Sequence, residues 1–453
     1  VPAVEADWRR GSSYVSPIAA LLDINTVVPR TENPADFIID TTQAEPEARI
    51  APTDLKFASP AGVAVHRDSS PRLPWGPGGF RDTTLRFEYP VDTSPIIIPG
   101  VTFPIPVRRL YVVSNSAQIV RVSDGRDVPA QSVSISTSVD DFAWTMSASL
   151  SGAAALALVE GTDAAPVEVD VTINGTTWRM LVDGWSLTEA ALTQSGTIRG
   201  RSKSAYLAAP YSDVRDYRES STLTSQQLAE QELPSGWSLT WAAPSWIIPA
   251  DAFQYTGLTP IAAIAKIAEA GGGYIQSDLT LNRLHIKQRY PFAPWTWDLE
   301  TPDFAVPKDI ILQRSSTKKP GLGKNGVYVH GEVGGVLALV RRNGTAGDKL
   351  LGTIVDPLIS DTLPARHRGI NALAGAMRQS TETHELPLDG ALGGLILPGS
   401  LLGVGAQVSG SFVKEWTGMV NGVTVTANAA RAGDRGVNLR VRQQLNVERF
   451  FED

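Results

Sequence analysis

The sequence predicts a β-rich α+β, multidomain protein, and three stretches carry that prediction. In "VSISTSVDDFAWTMSASL", residues 133–150, apolar residues alternate on one parity at Val133, Ile135 and Val139, then on the other at Phe142, Trp144, Met146, Ala148 and Leu150. In "VEVDVTINGTTWRMLVDGWSL", residues 167–187, two alternating runs flank Asn174-Gly175. In "TGLTPIAAIAKIAEAGGGYIQSDLTLNRLHIKQRYP", residues 256–291, a helical period gives way to a period of two.

Bulk properties set the frame. At 453 residues the chain exceeds one core, and the size prior expects roughly three or four domains. Apolar residues at 42% and charged residues at 19% are a globular balance. The absence of cysteine excludes disulfides, thiolate zinc sites, cysteine-ligated clusters and a cysteine nucleophile. A net charge of −7 argues against a nucleic-acid binder held by phosphate contacts, which need a basic surface. "RGRSK" at 199–203 is a local basic exception, read as a solvated strand end. "VPAVEADWRR" lacks the character of a secretory signal. "GALGGLILPGSLLGVGA", residues 390–406, is broken by glycines and Pro398 and falls short of a spanning helix, so a soluble protein without stable membrane insertion is expected.

The elements follow in order. About half of the 31 prolines precede residue 110. Proline removes ladder donors and fixes φ, so residues 1–110 are expected to form an extended arm with short edge strands at most. From about 111 to 205 the pattern becomes steadily β. The stretch 133–150 fits either two facing strands joined at Asp140-Asp141 or one strand kinked by a bulge. Asn174-Gly175 predicts a type I′ hairpin, because both central residues need φ > 0. "SGAAALALVEG" is a short helix or strand, and "LTQSGTIRGRSKSAYL" a third ribbon.

Residues 216–300 read as a compact α+β module. "SSTLTSQQLAEQEL" suggests a short helix; in the next helix Thr259 caps, Pro260 takes the first position and Gly271 stops it. Ile261, Ile264 and Ile267 form its buried stripe, and Leu279, Leu281, Leu284 and Ile286 of the following hairpin are expected to cover it. Residues 301–395 return to strands, with "NGVYVHGEV" and "VLALVRRNGTAGDKL", and hold one helix from about Pro364 to Ser380. Residues 396–453 are short strands with glycine turns, a small β domain or the completion of an earlier barrel.

A search for chemistry assigns no residue. His66, His285, His330, His367 and His384 show no HExxH or HxH pairing, and structural roles are expected, with His285 and His330 in strands. Asp140 and Asp141 are adjacent in a ribbon and so face opposite sides, which suits a turn rather than a glycosidase pair. "PGLGKNG" at 320–326 has no Ser or Thr after Lys324 and reads as a turn, and the "NGT" triplets at 174 and 343 read as hairpin turns. The GxSxG pattern is missing, and the expectation is a non-enzyme with no catalytic, cofactor-binding or metal-binding residues and no cofactor. Eleven tryptophans include Trp237, Trp241, Trp246, Trp295 and Trp297. Buried, they fill a core or interface; exposed, they would stack on sugar rings.

"DDFAWTMSASL", "LTPIAAIAKIAEAGGGYIQSDLTLNRLHI", "LPGSLLGV" and the ending "GMVNGVTVTANAARAGDRGVNLRVRQQLNVERF" together resemble the baseplate hub, or tail hub, proteins of long-tailed bacteriophages, which are related to the hubs of contractile injection systems. The resemblance runs from about residue 115 to the end; the proline-rich arm departs from it. It implies a homotrimeric ring whose subunits each supply two tube-like β-barrel domains, here about 111–215 and 301–395. Three copies then offer six barrels to a hexameric tail tube. The implied partners are a tail tube or distal tail protein and a central spike, fibre or tape-measure protein. DNA would pass through the lumen without specific binding. The implied location is the virion tail tip, after synthesis in the bacterial host cytoplasm. A carbohydrate-recognising receptor-binding protein at the tail tip is the alternative.

Overall fold

The computed structural model describes residues 115–161, 166–190, 193–333, 335–390, 393–408, 411–431 and 437–451, together with short strands at 13–15, 103–104 and 112–114. The expected arm over 1–110 lies outside the described residues except for two of those strands, β1 (Ser13–Val15) and β2 (Phe103–Pro104). β3 (Val112–Ser114) pairs antiparallel with β1.

Six strands build a first lobe: β4 (Ala117–Arg121), β5 (Ala130–Ser138), β6 (Thr145–Leu150), β7 (Glu168–Ile173), β8 (Thr176–Ala190) and β9 (Thr193–Ser202). The stretch 133–150 is two facing strands, since Val133 pairs with Ala148 and Ile135 with Met146. Asn174 and Gly175 sit at φ 47 and 86, as a type I′ turn requires, and bring Val171 opposite Trp178. "SGAAALALVEG" resolves as α1 (Ala153–Ala157). Trp144 and Trp178, both fully buried, meet edge to face with centroids 5.9 Å apart. Such a pair adds about 0.5–1.5 kcal/mol beyond its area burial.

The next segment is the α+β module: β10 (Arg215–Arg218), β11 (Leu223–Thr224), α2 (Ser225–Gln231), β12 (Ser238–Ala242), β13 (Ile247–Ile248), β14 (Gln254–Leu258), α3 (Pro260–Ala270), β15 (Gly273–Ser277) and β16 (Arg283–Gln288). α2 starts with a capping box, Thr224 and Gln227 exchanging side-chain and backbone bonds. Ile261, Ile264 and Ile267 are buried as expected, and Leu284 and Ile286 belong to the same core. The other two leucines do not cover that stripe. Leu279 packs against the first lobe instead, and Leu281 is 49% exposed. The reason is local: the Asp278 carboxylate accepts from the N–H groups of Thr280 and Leu281, so 278–281 form a turn rather than ladder.

After β17 (Phe304–Pro307) and β18 (Gln313–Lys319), residues 326–376 form a small sheet and a helix: β19 (Gly326–Gly331), β20 (Leu337–Arg341), β21 (Ile354–Asp356) and α4 (Thr362–Ala376). Val327, Val329, Leu358, Ala365 and Leu373 share the module's core. β19 lies between β20 and β21, so the "NGT" at 343 is a turn but not that of a hairpin. α4 is shorter than expected. Met377 is extended at ψ 157, and Gln379 and Ser380 already pair with Phe450 and Arg449.

β22 (Gln379–Leu386), β23 (Leu401–Val408), β24 (Ser411–Arg431) and β25 (Val437–Phe450) complete the architecture. One sheet of thirteen strands runs β18-β22-β25-β24-β5-β6-β9-β8-β7-β4, with β23, β17 and β2 joined at the side of β24. The 21-residue β24 changes neighbour partway along. Leu401 of β23 pairs with Met419, whereas Ser138 of β5 pairs with Gly422. The switch falls on a bulge between Val420 and Gly422, where Asn421 is set aside and its carbonyl accepts from Val139 N. The β24–β25 ribbon therefore serves the first lobe with one half and a second lobe, β17-β23-β24-β25-β22-β18, with the other. Across the first lobe's ends, Asn115 Nδ2 donates to Leu439 O of β25 at 2.9 Å. Both lobes line one apolar core, from Ile135 and Trp178 to Val306, Leu402 and Val404.

Candidate assembly surface

The described residues singled out from sequence lie apart, in turns, strands and one helix. Asp141 Oδ2 accepts from Ser138 Oγ at 2.7 Å in the turn joining β5 to β6, while Asp140 turns outward to Arg289, Oδ1 to Nη1 2.5 Å. His285 Nε2 lies 3.4 Å from Asp278 Oδ2. Burial raises the Asp278 carboxyl, but bonds from His285 and from the Leu281 and Thr280 N–H groups outweigh it and hold the group at about 2. His330 is in β19, and His367 Nδ1 meets the Gln288 amide. His384 is fully buried in β22, edge-on to Trp416 at 5.7 Å, with neither ring nitrogen hydrogen-bonded. Burial, reinforced by the charge on Arg314, pushes it down to about 4, so it is a neutral core histidine. His66 lies outside the described residues. Among the described residues no group of acids and histidines is arranged to hold a metal ion.

The clustered tryptophans are buried or partly buried. Trp246 and Trp297 are buried, and Trp237, Trp241 and Trp295 lie against the module's core. Trp246 Nε1 donates to Leu358 O at 2.8 Å, which ties 246 to the 326–376 segment.

The module is fastened to the sheet at several points. Trp144 Nε1 donates to Ser277 O at 3.3 Å, Ser202 Oγ to Ser277 Oγ at 3.0 Å, and Arg179 N to Leu279 O at 2.8 Å. At the opposite end Tyr290 OH donates to Glu448 Oε2 at 2.8 Å. Burial pushes both of these groups up, the phenol and the carboxyl alike.

What is left for recognition is surface. The β8–β9 ribbon runs past the core and shows Trp185, 48% exposed, and Leu187. The β23–β24 ribbon shows Val408 and Val413 near its tip. β18, "QRSSTKK", is exposed along all seven residues, and among the described residues it pairs only with β22, which leaves its outer row of backbone groups open there. Its polar residues have no apolar alternation, which is why the strand was not legible from sequence.

The outer face of the first lobe has a composition of its own. Ladder register aligns three rows across β25, β24, β5, β6 and β9: Arg440–Asn428–Ser132–Ser149–Thr197, Arg442–Thr426–Ser134–Ser147–Arg199 and Gln444–Thr424–Ser136–Thr145–Arg201. The intervening residues, such as Val133, Ile135, Val425 and Ile198, point into the core. Of the fifteen outward positions nine are Ser or Thr and four are Arg; none is apolar and none acidic. Period-two alternation was read from its apolar members, while the Ser/Thr set between them carried the second signal.

No protein-family model matches the chain, and no curated protein matches it. Solved structures do. The tail protein from Neisseria meningitidis MC58 is similar with a TM-score of 0.52 at 11% identity, over 74% of this chain and 97% of that one. The 43 kDa tail protein of prophage MuSo2 from Shewanella oneidensis gives 0.50 at 16% identity, over 74% and 98%. The chain has the fold of these tail proteins.

Proposed function

We propose that this chain, which folds like those tail proteins, is a structural baseplate hub of a bacteriophage tail. Three copies form a ring that joins the hexameric tail tube to a central spike or fibre and surrounds the DNA passage. One observation supports the reading: the β24–β25 ribbon joins two lobes of one sheet. A ring of three such chains offers six lobes, which is what a threefold part needs to meet a sixfold tube. We assign the lobes to 111–215 and 301–395, with 396–453 completing both and 326–376 of the second packed into the module's core, the module to 216–300 and an arm to 1–110. The open edge of β18 and the apolar ribbon tips are available for neighbours, since exposed edges and patches of this kind seek partners.

The role is non-enzymatic and its place is the virion tail tip. Among the described residues no helix is long and apolar enough to cross a membrane. Trp241 and Trp295 are partly buried against the module's core, which weighs against the sugar-stacking alternative. Mass photometry of the isolated chain, followed by cryo-EM with tube protein, tests the reading. A three-copy ring with a lumen, seated on the tube, is expected; a single-copy particle without a lumen overturns it.

A further inference from the structure

The hydroxyl-paved outer face of the first lobe is not explained by ring building. A stable protein interface has an apolar or aromatic centre, and these rows have none. Nor is the face an ordinary sample of the surface, because a chain of net charge −7 places four arginines and no carboxylate there. Two of the four are held at its flanks, Arg201 by Asp183 and Arg442 by Glu385. Arg199 and Arg440 are exposed, and no ion pair engages them among the described residues. Arg199 and Arg201 are the first two basic residues of "RGRSK".

We propose that this face contacts the sugar-phosphate backbone of duplex DNA, weakly and without regard to sequence. The inference deepens the hub reading, on which it rests for the presence of DNA. Guanidinium and hydroxyl groups are the ones that touch phosphate and sugar, and they position a duplex without reading it. Five strands at a spacing of about 4.8 Å give a sheet face about 19 Å wide. That is broader than the major groove of about 12 Å, so the face lies against the backbone and does not enter to the base edges. Two unpaired guanidinium groups release few counterions, and the slope of log K against log salt is expected to be about −2 per chain. Contacts of this kind let a duplex slide, because each is exchanged for an equivalent one along the strand.

The test uses the full chain and a fluorescent mixed-sequence duplex, with anisotropy read from about 20 to about 200 mM NaCl. Binding at low salt is expected. Arg199→Gln combined with Arg440→Gln should weaken it at least about tenfold and flatten the salt slope by about 2, while Arg126→Gln leaves both unchanged. Both altered residues are exposed, so an unchanged melting curve confirms folding. No binding at low salt, or equal binding by the double variant, overturns the inference, as does preferential competition by an acidic protein. Mass photometry separates the two readings. If the double variant breaks a three-copy species apart, the face is a subunit contact and the inference falls while the hub stands. If the chain is a single copy yet binds DNA through these arginines, the hub falls and the inference stands.

Discussion

Tyr290 donates its phenolic proton to Glu448 Oε2 at 2.8 Å, and the two residues are 158 positions apart in sequence. Tyr290 ends the module's β16 arm and Glu448 sits near the end of β25, so this bond joins the two cores. Tyr290→Phe leaves a partly buried carboxylate short of a donor and is expected to cost about 1–3 kcal/mol near neutral pH. The pH sign follows from the raised carboxyl. Glu448 binds its proton more tightly folded than unfolded, so its unfavourable contribution grows as pH rises through the unfolded value of 4.5 and is complete above the folded one. The Phe variant should therefore differ most above that window and least below it, as urea midpoints at acid and neutral pH will record.

His384 makes the opposite acid-side prediction. Its folded pKa of about 4 lies below the ordinary 6.5, so the unfolded chain takes up a proton first. The stability contribution is fully present above 6.5 and is lost as pH falls towards 4, by about 3 kcal/mol at the limit. Arg314 and Glu382 are the charged groups beside it. His384→Leu should flatten the dependence of melting temperature on pH across that window; an unchanged slope would refute the assignment.

Two glycines in one ribbon should respond differently to alanine. A Cβ on Gly200 would sit 2.3 Å from Leu181 O, whereas one on Gly184 meets nothing within 4 Å. Gly200→Ala must part β8 from β9 and is expected to cost about 1–3 kcal/mol. Gly184→Ala should change stability by no more than about 0.5 kcal/mol. Chemical denaturation of the pair decides the matter.

Two tryptophans separate folding from assembly. Trp178→Ala empties the centre of the first lobe and should cost about 3–5 kcal/mol. Trp178→Phe should cost much less, since the buried indole N–H has no hydrogen-bond partner to lose. Trp185→Ala, out on the β8–β9 ribbon, should leave the melt unchanged and shift the mass distribution towards fewer copies.

Local signals were legible in the sequence and long-range ones were not. Asn174-Gly175 named its hairpin because only that turn type satisfies two positive φ values in so short a loop. Thr259-Pro260 and Gly271 marked α3 to the residue, although the Thr259 side chain makes no capping bond and its backbone alone starts the helix. The change of partner along β24 had no such mark. Gly422 and Asn421 read as one more glycine turn, yet their bulge hands the strand from β23 to β5. The attachment of 326–376 to the module was equally hidden, because Val327 and Val329 alternate alike whichever core receives them. Among candidate residues, the described histidines and acids lie in strands, turns and a helix, while the Ser/Thr rows passed unread between the apolar residues that drew notice.

The continuous β24–β25 ribbon has a consequence for how such a chain evolves and how it bears force. Neither lobe can be cut out, exchanged with a relative or expressed alone without severing hydrogen bonds that the other lobe needs. Recombination at the Asn421 bulge would orphan both halves. Tension applied to one lobe loads the same two backbones in the other as shear along many bonds at once, so the pair should yield together under pulling, in one rip and not two.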